Sequence, residues 1–289
     1  MANEGKSYYT PYRDLGIEVF SAQHIGGARK RRQEDVLFYR AFTKDQPLLQ
    51  DPQDDSSEYE LTILSGMIAD GMGGHHRKEK KGFLGIGHVP AATGKTASVI
   101  AAHTFRKENP RDFAELYSTA EAINEAIYPL NKSRRLSHSE KIGTTLIEIV
   151  LAQRYRNRRF LGYRGYTLNV GNSRELLVRC NGTYDQLTVD EVVTNPKKPS
   201  NEIIYNSVGQ QPNIVVYTDD NYFQADFNPS DSLLLCSDGI TRNQTNEEMT
   251  SIILSEKTLP NAGRRLMEQS LRKEPETADN LSLLLVRFY

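Results

Sequence analysis

Four aspartates sit at the ends of apolar strands, and their placement constrains the fold more than any other feature of the chain. Asp70 follows "LTILSGMIA" and opens "DGMGGHH"; Asp238 follows "SLLLCS" and opens "DGIT". Asp35 in "RQEDVLFYR" and Asp279 in "ADNLSLLLVRF" each come just before a strand. Two strands end on an acid and two begin with one. In an antiparallel sheet the end of one strand lies beside the start of its neighbour, so all four carboxylates can reach one rim. A single Asp-Gly is an ordinary turn. Four carboxylates at one rim repel, so they must lie apart or be held together by cations. Oxygen ligands without clustered Cys or His favour Mg²⁺ or Mn²⁺. The adjoining glycines allow tight turns and let backbone carbonyls approach a metal or its waters.

Strand patterns cover residues 17–27, 36–42 and 61–69, then "GTTLIEIVLAQR", "RGYTLNVG" and "ELLVRCNGTYDQLT", then 232–237, and finally "LSLLLVRF". "CNGTYD" carries the Asn-Gly hairpin signal. Helices are expected at about 93–108, 111–135, 245–256 and 260–273; in the second, Phe113, Leu116, Ala120, Ile123, Ile127 and Leu130 recur at helical spacing. Residues 1–16 read as a loose arm, 43–60 as an acidic exposed loop, 75–92 as a glycine-rich basic insertion, and 190–212 as irregular. Strands, helices, strands, helices and a last strand, with hairpin signals in place of regular βαβ alternation, predict an α+β fold of antiparallel sheets covered by helices.

The 289 residues, 38% apolar and 25% charged, suit one large globular domain or two small ones. A net charge of −1 gives no global pointer to nucleic acid or an anionic membrane. The N-terminus lacks an apolar signal core and there is no run of 18 or more apolar residues, so no membrane span is expected. Cys180 and Cys236 are too few and too far apart for a disulfide framework, which makes the cytoplasm the default location; Cys236 reads as a buried thiol.

These segments resemble the metal-dependent protein phosphatases of type 2C, the PPM family, and its bacterial branch in particular. "RQEDVLF" is similar to the family's N-E-D segment and "ADGMGGH" to D-G-M-G-G-H. "GTTL", "NVGNSRELLV", "QLTVD", "LLLCSDGIT" and "ADNLSLLLVR" follow in the family's order, so the resemblance spans residues 27–287. It implies a four-layer α-β-β-α sandwich of two antiparallel sheets flanked by helices. It also implies a single phosphatase domain over 17–289 behind the 1–16 arm, with residues 190–212 in the place of the family's flap. The implied activity is hydrolysis of phosphoserine and phosphothreonine in proteins by a water bridging two Mn²⁺ or Mg²⁺ ions, without a phosphoenzyme. By the same resemblance Asp35, Asp70, Asp238 and Asp279 are catalytic metal ligands, joined by the Gly71 carbonyl, and Glu34 orders a metal-bound water.

Three departures from the family pattern bear on function. Lys30, between Arg29 and Arg31, stands where the family usually has the arginine that binds substrate phosphate. A lysine offers a point charge without the bidentate fork, so Lys30 and Arg29 are the candidate phosphate contacts, with Arg174 in reserve. Asn172 replaces an aspartate that helps to hold a third, weaker metal. Met72 replaces a histidine that serves the animal enzymes as general acid, as is normal for the bacterial pattern.

His75 is an accessory candidate near the leaving group. His75, His76 and His88 could together form a zinc site, but a solvated loop is the plainer reading because no cysteine is near. "ATGKT" lacks the P-loop glycine, since Val89 occupies that position, and reads as a helix start capped by Thr93 or Thr96. The basic run Arg77–Lys81 reads as a solvated loop, with docking of an acidic phosphoprotein as the second reading.

The expected partners are phosphorylated proteins modified by a serine/threonine kinase, with no nucleic acid and no membrane, for a monomer. Two alternatives stay open: a pseudophosphatase acting as a regulatory binding module, kept alive by Asn172 and Lys30, and a phosphatase of small phosphoesters.

Overall fold

In a computed structural model of the chain, the structure describes residues 5–27, 33–42, 58–73, 93–132, 140–195, 198–216, 221–276 and 278–289. The strands are β1 Lys6–Tyr12, β2 Ile17–His24, β3 Val36–Ala41, β4 Glu58–Ala69, β5 Gly71–Gly73, β6 Ile142–Thr144, β7 Leu146–Arg156 and β8 Arg159–Val170. They continue with β9 Arg174–Val178, β10 Tyr184–Gln186, β11 Val192–Asn195, β12 Lys198–Ile204, β13 Tyr222–Phe227, β14 Ser232–Cys236 and β15 Leu281–Phe288. The helices are α1 Gly94–Glu108, α2 Phe113–Lys132, α3 Asp238–Thr241, α4 Asn246–Ser255 and α5 Leu259–Lys273.

Two large antiparallel sheets carry the molecule. One has the order β1-β2-β15-β14-β9-β10 and the other β13-β8-β7-β4-β3. Side chains alternate across each strand, and the inner strands such as β14 and β15 are buried on both faces. In β14, Leu233 and Leu235 point between the sheets, where Ile17, Val19, Leu64, Ile68, Ile147, Ile149 and Leu284 meet them. Leu234 and Cys236 point the other way, onto Met249, Ile252, Leu259, Ala262 and Leu266 of α4 and α5. The second sheet turns Met67, Leu146, Val150 and Leu168 onto Ala101, Phe105, Leu116 and Ile123 of α1 and α2. Three apolar layers therefore separate four structural layers, and the expected α-β-β-α sandwich is what the chain forms. Strands buried on both faces read as unbroken apolar runs, which is why "SLLLC" and "LSLLLVRF" show no polar alternation.

The structure departs from the sequence reading at several places. Residues 58–60, expected within the exposed loop 43–60, open β4, and β5 and the four-residue α3 were not expected. Residues 6–12, expected as a loose arm, form β1 and pair with β2 from Lys6↔Gln23 to Tyr12↔Ile17. β1 is exposed and contains Pro11, which an edge strand tolerates because one side of its backbone has no ladder to complete. Within residues 190–212, β11 and β12 form a hairpin in which the β-branched pair Val193↔Ile203 lies cross-strand. β13 was not expected at all; its six residues pair with β8. Elsewhere β10 folds back on β9 as the Asn181-Gly182 signal implied, with Gly182 at φ 94°. Cys236 is fully buried, and burial pushes its thiol up to about 12. Among the described residues no helix is long and apolar enough to cross a membrane.

Glu175 on β9 is wholly buried, and neither carboxylate oxygen has a hydrogen-bond partner. Burial pushes its carboxyl up to about 7, against the pull of the nearby Thr167 hydroxyl. Because this pKa is raised on folding, the native state holds the proton more tightly than the unfolded chain does. Glu175 therefore erodes stability as pH rises from the ordinary glutamate range to about 7, and the loss is constant above that. Glu175→Gln should gain melting temperature relative to the parent as pH is raised from 4.5 to 7.5, with the gain absent at pH 4. A difference that does not vary with pH, read by thermal denaturation across this range, would refute the assignment.

Candidate active site

The rim of the sandwich is assembled by strand pairing. β3 and β4 pair with Val36 opposite Ala69, so Asp35 and Asp70 lie side by side just beyond the ladder. β14 and β15 pair with Cys236 opposite Leu283, and the Ser237 N–H donates to the Ser282 carbonyl, so Asp238 and Asp279 lie at the same end of the other large sheet. The Ser237 hydroxyl joins the two halves by donating to Asp35 Oδ2 at 2.9 Å.

Each acid is held by its surroundings. Asp70 is fixed through its backbone: its N–H donates to Thr145 Oγ1 at 3.2 Å, and its carbonyl accepts from the Thr144 hydroxyl at 2.9 Å and the Thr145 N–H at 2.9 Å. The "GTTL" segment thus clamps the "DG" turn. Asp238 Oδ2 accepts from Asn172 Nδ2 at 2.9 Å and lies 2.6 Å from Arg242 Nη2. Arg242 Nη1 lies 3.1 Å from Asp279 Oδ2. The Glu34 N–H donates to Asn280 Oδ1 at 2.8 Å, which ties the loop before β3 to the residue after Asp279.

Electrostatics reflect the crowding. Burial raises the carboxyls of Asp35, Asp70 and Asp238, and repulsion from neighbouring aspartates adds to it. For Asp70 the repulsion comes from Asp35, Asp238 and Asp279 together. On Asp238 the Arg242 guanidinium pulls the other way. Asp35 and Asp238 are 1% and 4% exposed, and the Oδ1 atom of each is buried with no hydrogen-bond partner. Among the described residues no group of three or more His, Cys, Asp or Glu side chains is arranged to hold a metal ion in this geometry. The donor chemistry nonetheless fits a hard divalent cation: crowded buried carboxylates with orphaned oxygens lack the positive charge that would satisfy them.

Several participants could not be singled out from the sequence. Lys95 donates from Nζ to the Asp35 carbonyl at 3.2 Å; burial holds its ammonium below the usual range, while Asp35 and Glu34 pull it up. The Ser98 hydroxyl donates to the Glu34 carbonyl. Lys95 lies in the "TGKT" helix start and Ser98 two residues beyond it, in the first turns of α1, where the Thr93 N–H donates to Thr96 Oγ1 at 3.1 Å. Ser237 lies inside the "SDGIT" motif and Arg242 directly follows it, four residues after Asp238, but nothing in the sequence alone assigned either a role at the site. Arg174, the reserve phosphate contact, pairs with Asp190 and donates to Asn246 Oδ1 at 2.8 Å. Arg29, Lys30, Arg31, His75, His76, His88 and the rest of the basic insertion lie outside the described residues. Gly71 and Met72 lie in β5, which pairs with β6.

α1 reaches the rim because two glycines touch. A Cβ on Gly94 would sit 2.5 Å from the Gly71 carbonyl, and one on Gly71 would sit 2.2 Å from the Gly94 carbonyl. Backbone lies against backbone, so neither side can yield by rotating a side chain. Gly94→Ala gains about 1 kcal/mol of helix propensity. Overpacking of this kind costs about 1–3 kcal/mol. The variant should therefore melt below the parent; a rise in melting temperature would show that the contact is slack.

No protein-family model matches the chain. It is similar to the serine/threonine phosphatase stp of Listeria monocytogenes serotype 4b (strain F2365), 26% identical over 233 residues that cover 76% of this chain and 82% of that protein. It is similar to a 2C-type protein phosphatase of Streptococcus pyogenes serotype M6, 25% identical over 245 residues, 76% of this chain and 84% of that one. Among solved structures, serine/threonine phosphatase Stp1 from Staphylococcus aureus superposes with a TM-score of 0.64 at 18% identity, over 100% of this chain and 96% of that one. That structural likeness is one of fold.

Proposed function

We propose that the chain is a protein serine/threonine phosphatase of type 2C, like the bacterial proteins to which it is similar, and that it hydrolyses phosphoserine and phosphothreonine at the aspartate rim with the help of two Mn²⁺ or Mg²⁺ ions. Phosphatases of this type are metal-dependent. The observation that carries the two-metal reading is the convergence of Asp35, Asp70 and Asp238, all with raised carboxyls, with Asp279 adding its charge beside them.

On this reading Asp35, Asp70, Asp238 and Asp279 hold the metals together with the Gly71 carbonyl. When bound, the ions would polarise the phosphate and make a water acidic enough to attack at neutral pH. The protein's own contribution is placement. Thr144 and Thr145 fix the turn that aims Asp70 and the Gly71 carbonyl. Ser237 orients Asp35, and Asn280 anchors the Glu34 backbone, so that Glu34 stands where it can order a water. Lys95 brings a cation to the Asp35 side of the rim. Lys30 and Arg29 remain the proposed phosphate contacts, and His75 the accessory group near the leaving group. The substrates are proteins phosphorylated by a serine/threonine kinase, acted on by a monomer in the cytoplasm, with residues 17–289 as one domain. The retained carboxylates favour an active enzyme over a pseudophosphatase, since a scaffold has no use for so much buried like charge.

Asp238→Asn should abolish Mn²⁺-dependent turnover of a phosphothreonine peptide while the protein stays folded, because the change relieves buried repulsion. Near-parental turnover would refute the ligand set. Asn172→Asp tests the departure in "VGNSR". It replaces the amide that donates to Asp238 with a carboxylate. It should lower the melting temperature in EDTA and enlarge the rise on adding Mn²⁺, since a carboxylate binds a hard cation better than an amide does. An unchanged response to metal would exclude position 172 from the metal centre.

A further inference from the structure

Arg242 occupies an unusual place. It follows α3, and its N–H donates to the Asp238 carbonyl at 2.8 Å. The four-residue spacing brings its guanidinium back over the carboxylate that opens the helix. From there it spans two strands, 2.6 Å from Asp238 Oδ2 and 3.1 Å from Asp279 Oδ2. It is a cation lodged on the two acids that the proposed function gives to metal.

The remainder of its surroundings sets its mobility. The side chain is 46% exposed, whereas the Asp238 side chain beneath it is only 6% exposed. Its outer side faces an open concavity of about 360 Å³, lined also by Thr245, Asn246, Glu247, Glu248 and Lys273. That concavity offers carboxylates of its own: Glu248 pairs with Lys273 at 2.9 Å, and Glu247 accepts from the Tyr184 hydroxyl. The guanidinium meets the Oδ2 atoms, while Asp238 Oδ1 and Asp35 Oδ1 stay buried and unpartnered on the inner side.

We infer that Arg242 is a displaceable internal counter-cation: it neutralises Asp238 and Asp279 when metal is absent, competes with divalent ions for them, and moves into the adjoining groove when a metal binds. Two positive charges cannot share these carboxylates closely without strong repulsion. Metal affinity is thereby coupled to the position of Arg242, and by linkage each weakens the other. The arrangement keeps the rim folded without metal and sets the ion concentration at which the site fills. The inference rests on the metal reading above and adds a residue that no motif of the site includes.

The test is calorimetric titration of MnCl₂ into metal-stripped parent, Arg242→Gln and Arg242→Lys proteins, with melting temperatures in EDTA and in saturating Mn²⁺. Arg242→Gln should bind Mn²⁺ about tenfold more tightly than the parent, the scale of a charge-assisted contact removed from competition. It should melt lower in EDTA and show a larger rise with metal. Arg242→Lys keeps the charge without the fork and should lie between the two. If the parent binds Mn²⁺ and both variants bind it no more tightly, the counter-cation role is wrong and the metal reading stands. If no protein in the series binds Mn²⁺ at the rim, both fall together.

Discussion

Repulsion among four carboxylates at one rim is the constraint to which the rest of the structure answers. Asp35 and Asp70 come from one sheet, and Asp238 and Asp279 from the other, so the site exists only while the two sheets stay stacked. Buried like charge opposes that stacking. The apolar layers between and outside the sheets supply the opposing force, and Leu233, Leu235, Ile147 and Leu284 at the centre carry no polar atoms that could be left unsatisfied. The rim adds local devices. Ser237 and Asn280 join segments more than two hundred residues apart, and Arg242 bridges two strands with one guanidinium.

Much of this was legible in the sequence because it rests on local pattern. The four acids stood out by their position against apolar strands, and pairing across β3–β4 and β14–β15 brings them to one end for the geometric reason anticipated. All four longer helices, α1, α2, α4 and α5, were expected from the sequence, α2 by its apolar spacing and α1 by its capping threonines Thr93 and Thr96. β1 was hidden by its polar, proline-bearing sequence, since an edge strand has no buried face to mark it. The β11–β12 hairpin was hidden because its residues lie among prolines and lysines. Lys95 and Ser98 were invisible as site residues because their partners are set by tertiary contact, and Arg242 because its four-residue spacing from Asp238 becomes a contact only through the short helix α3, which the sequence reading did not expect. Nothing in "TGKT" says that Gly94 must meet Gly71, although that contact positions the helix start beside Asp35.

The site also shows why local rules fail where function concentrates. Buried carboxylates without partners, a lysine held half-buried against a carbonyl, and two glycines pressed together all cost stability. Glu175 shows that an unpartnered acid occurs inside the sandwich as well, so burial and a raised pKa alone do not make a site. What distinguishes the rim is convergence: several acids, several sheets and a clamp of hydroxyls and amides around them. The long-range contacts mean that substitutions at Ser237 or Asn280, neither of which carries charge, should disturb the acids as much as changes nearer to them in the chain.

The most direct test of the central claim is an anomalous-scattering map from crystals grown with saturating Mn²⁺. Two peaks within coordination distance of the Asp35, Asp70, Asp238 and Asp279 carboxylates, with the Gly71 carbonyl beside them, are the predicted result. A rim without manganese, in a protein that still hydrolyses a phosphothreonine peptide in the same buffer, would contradict it.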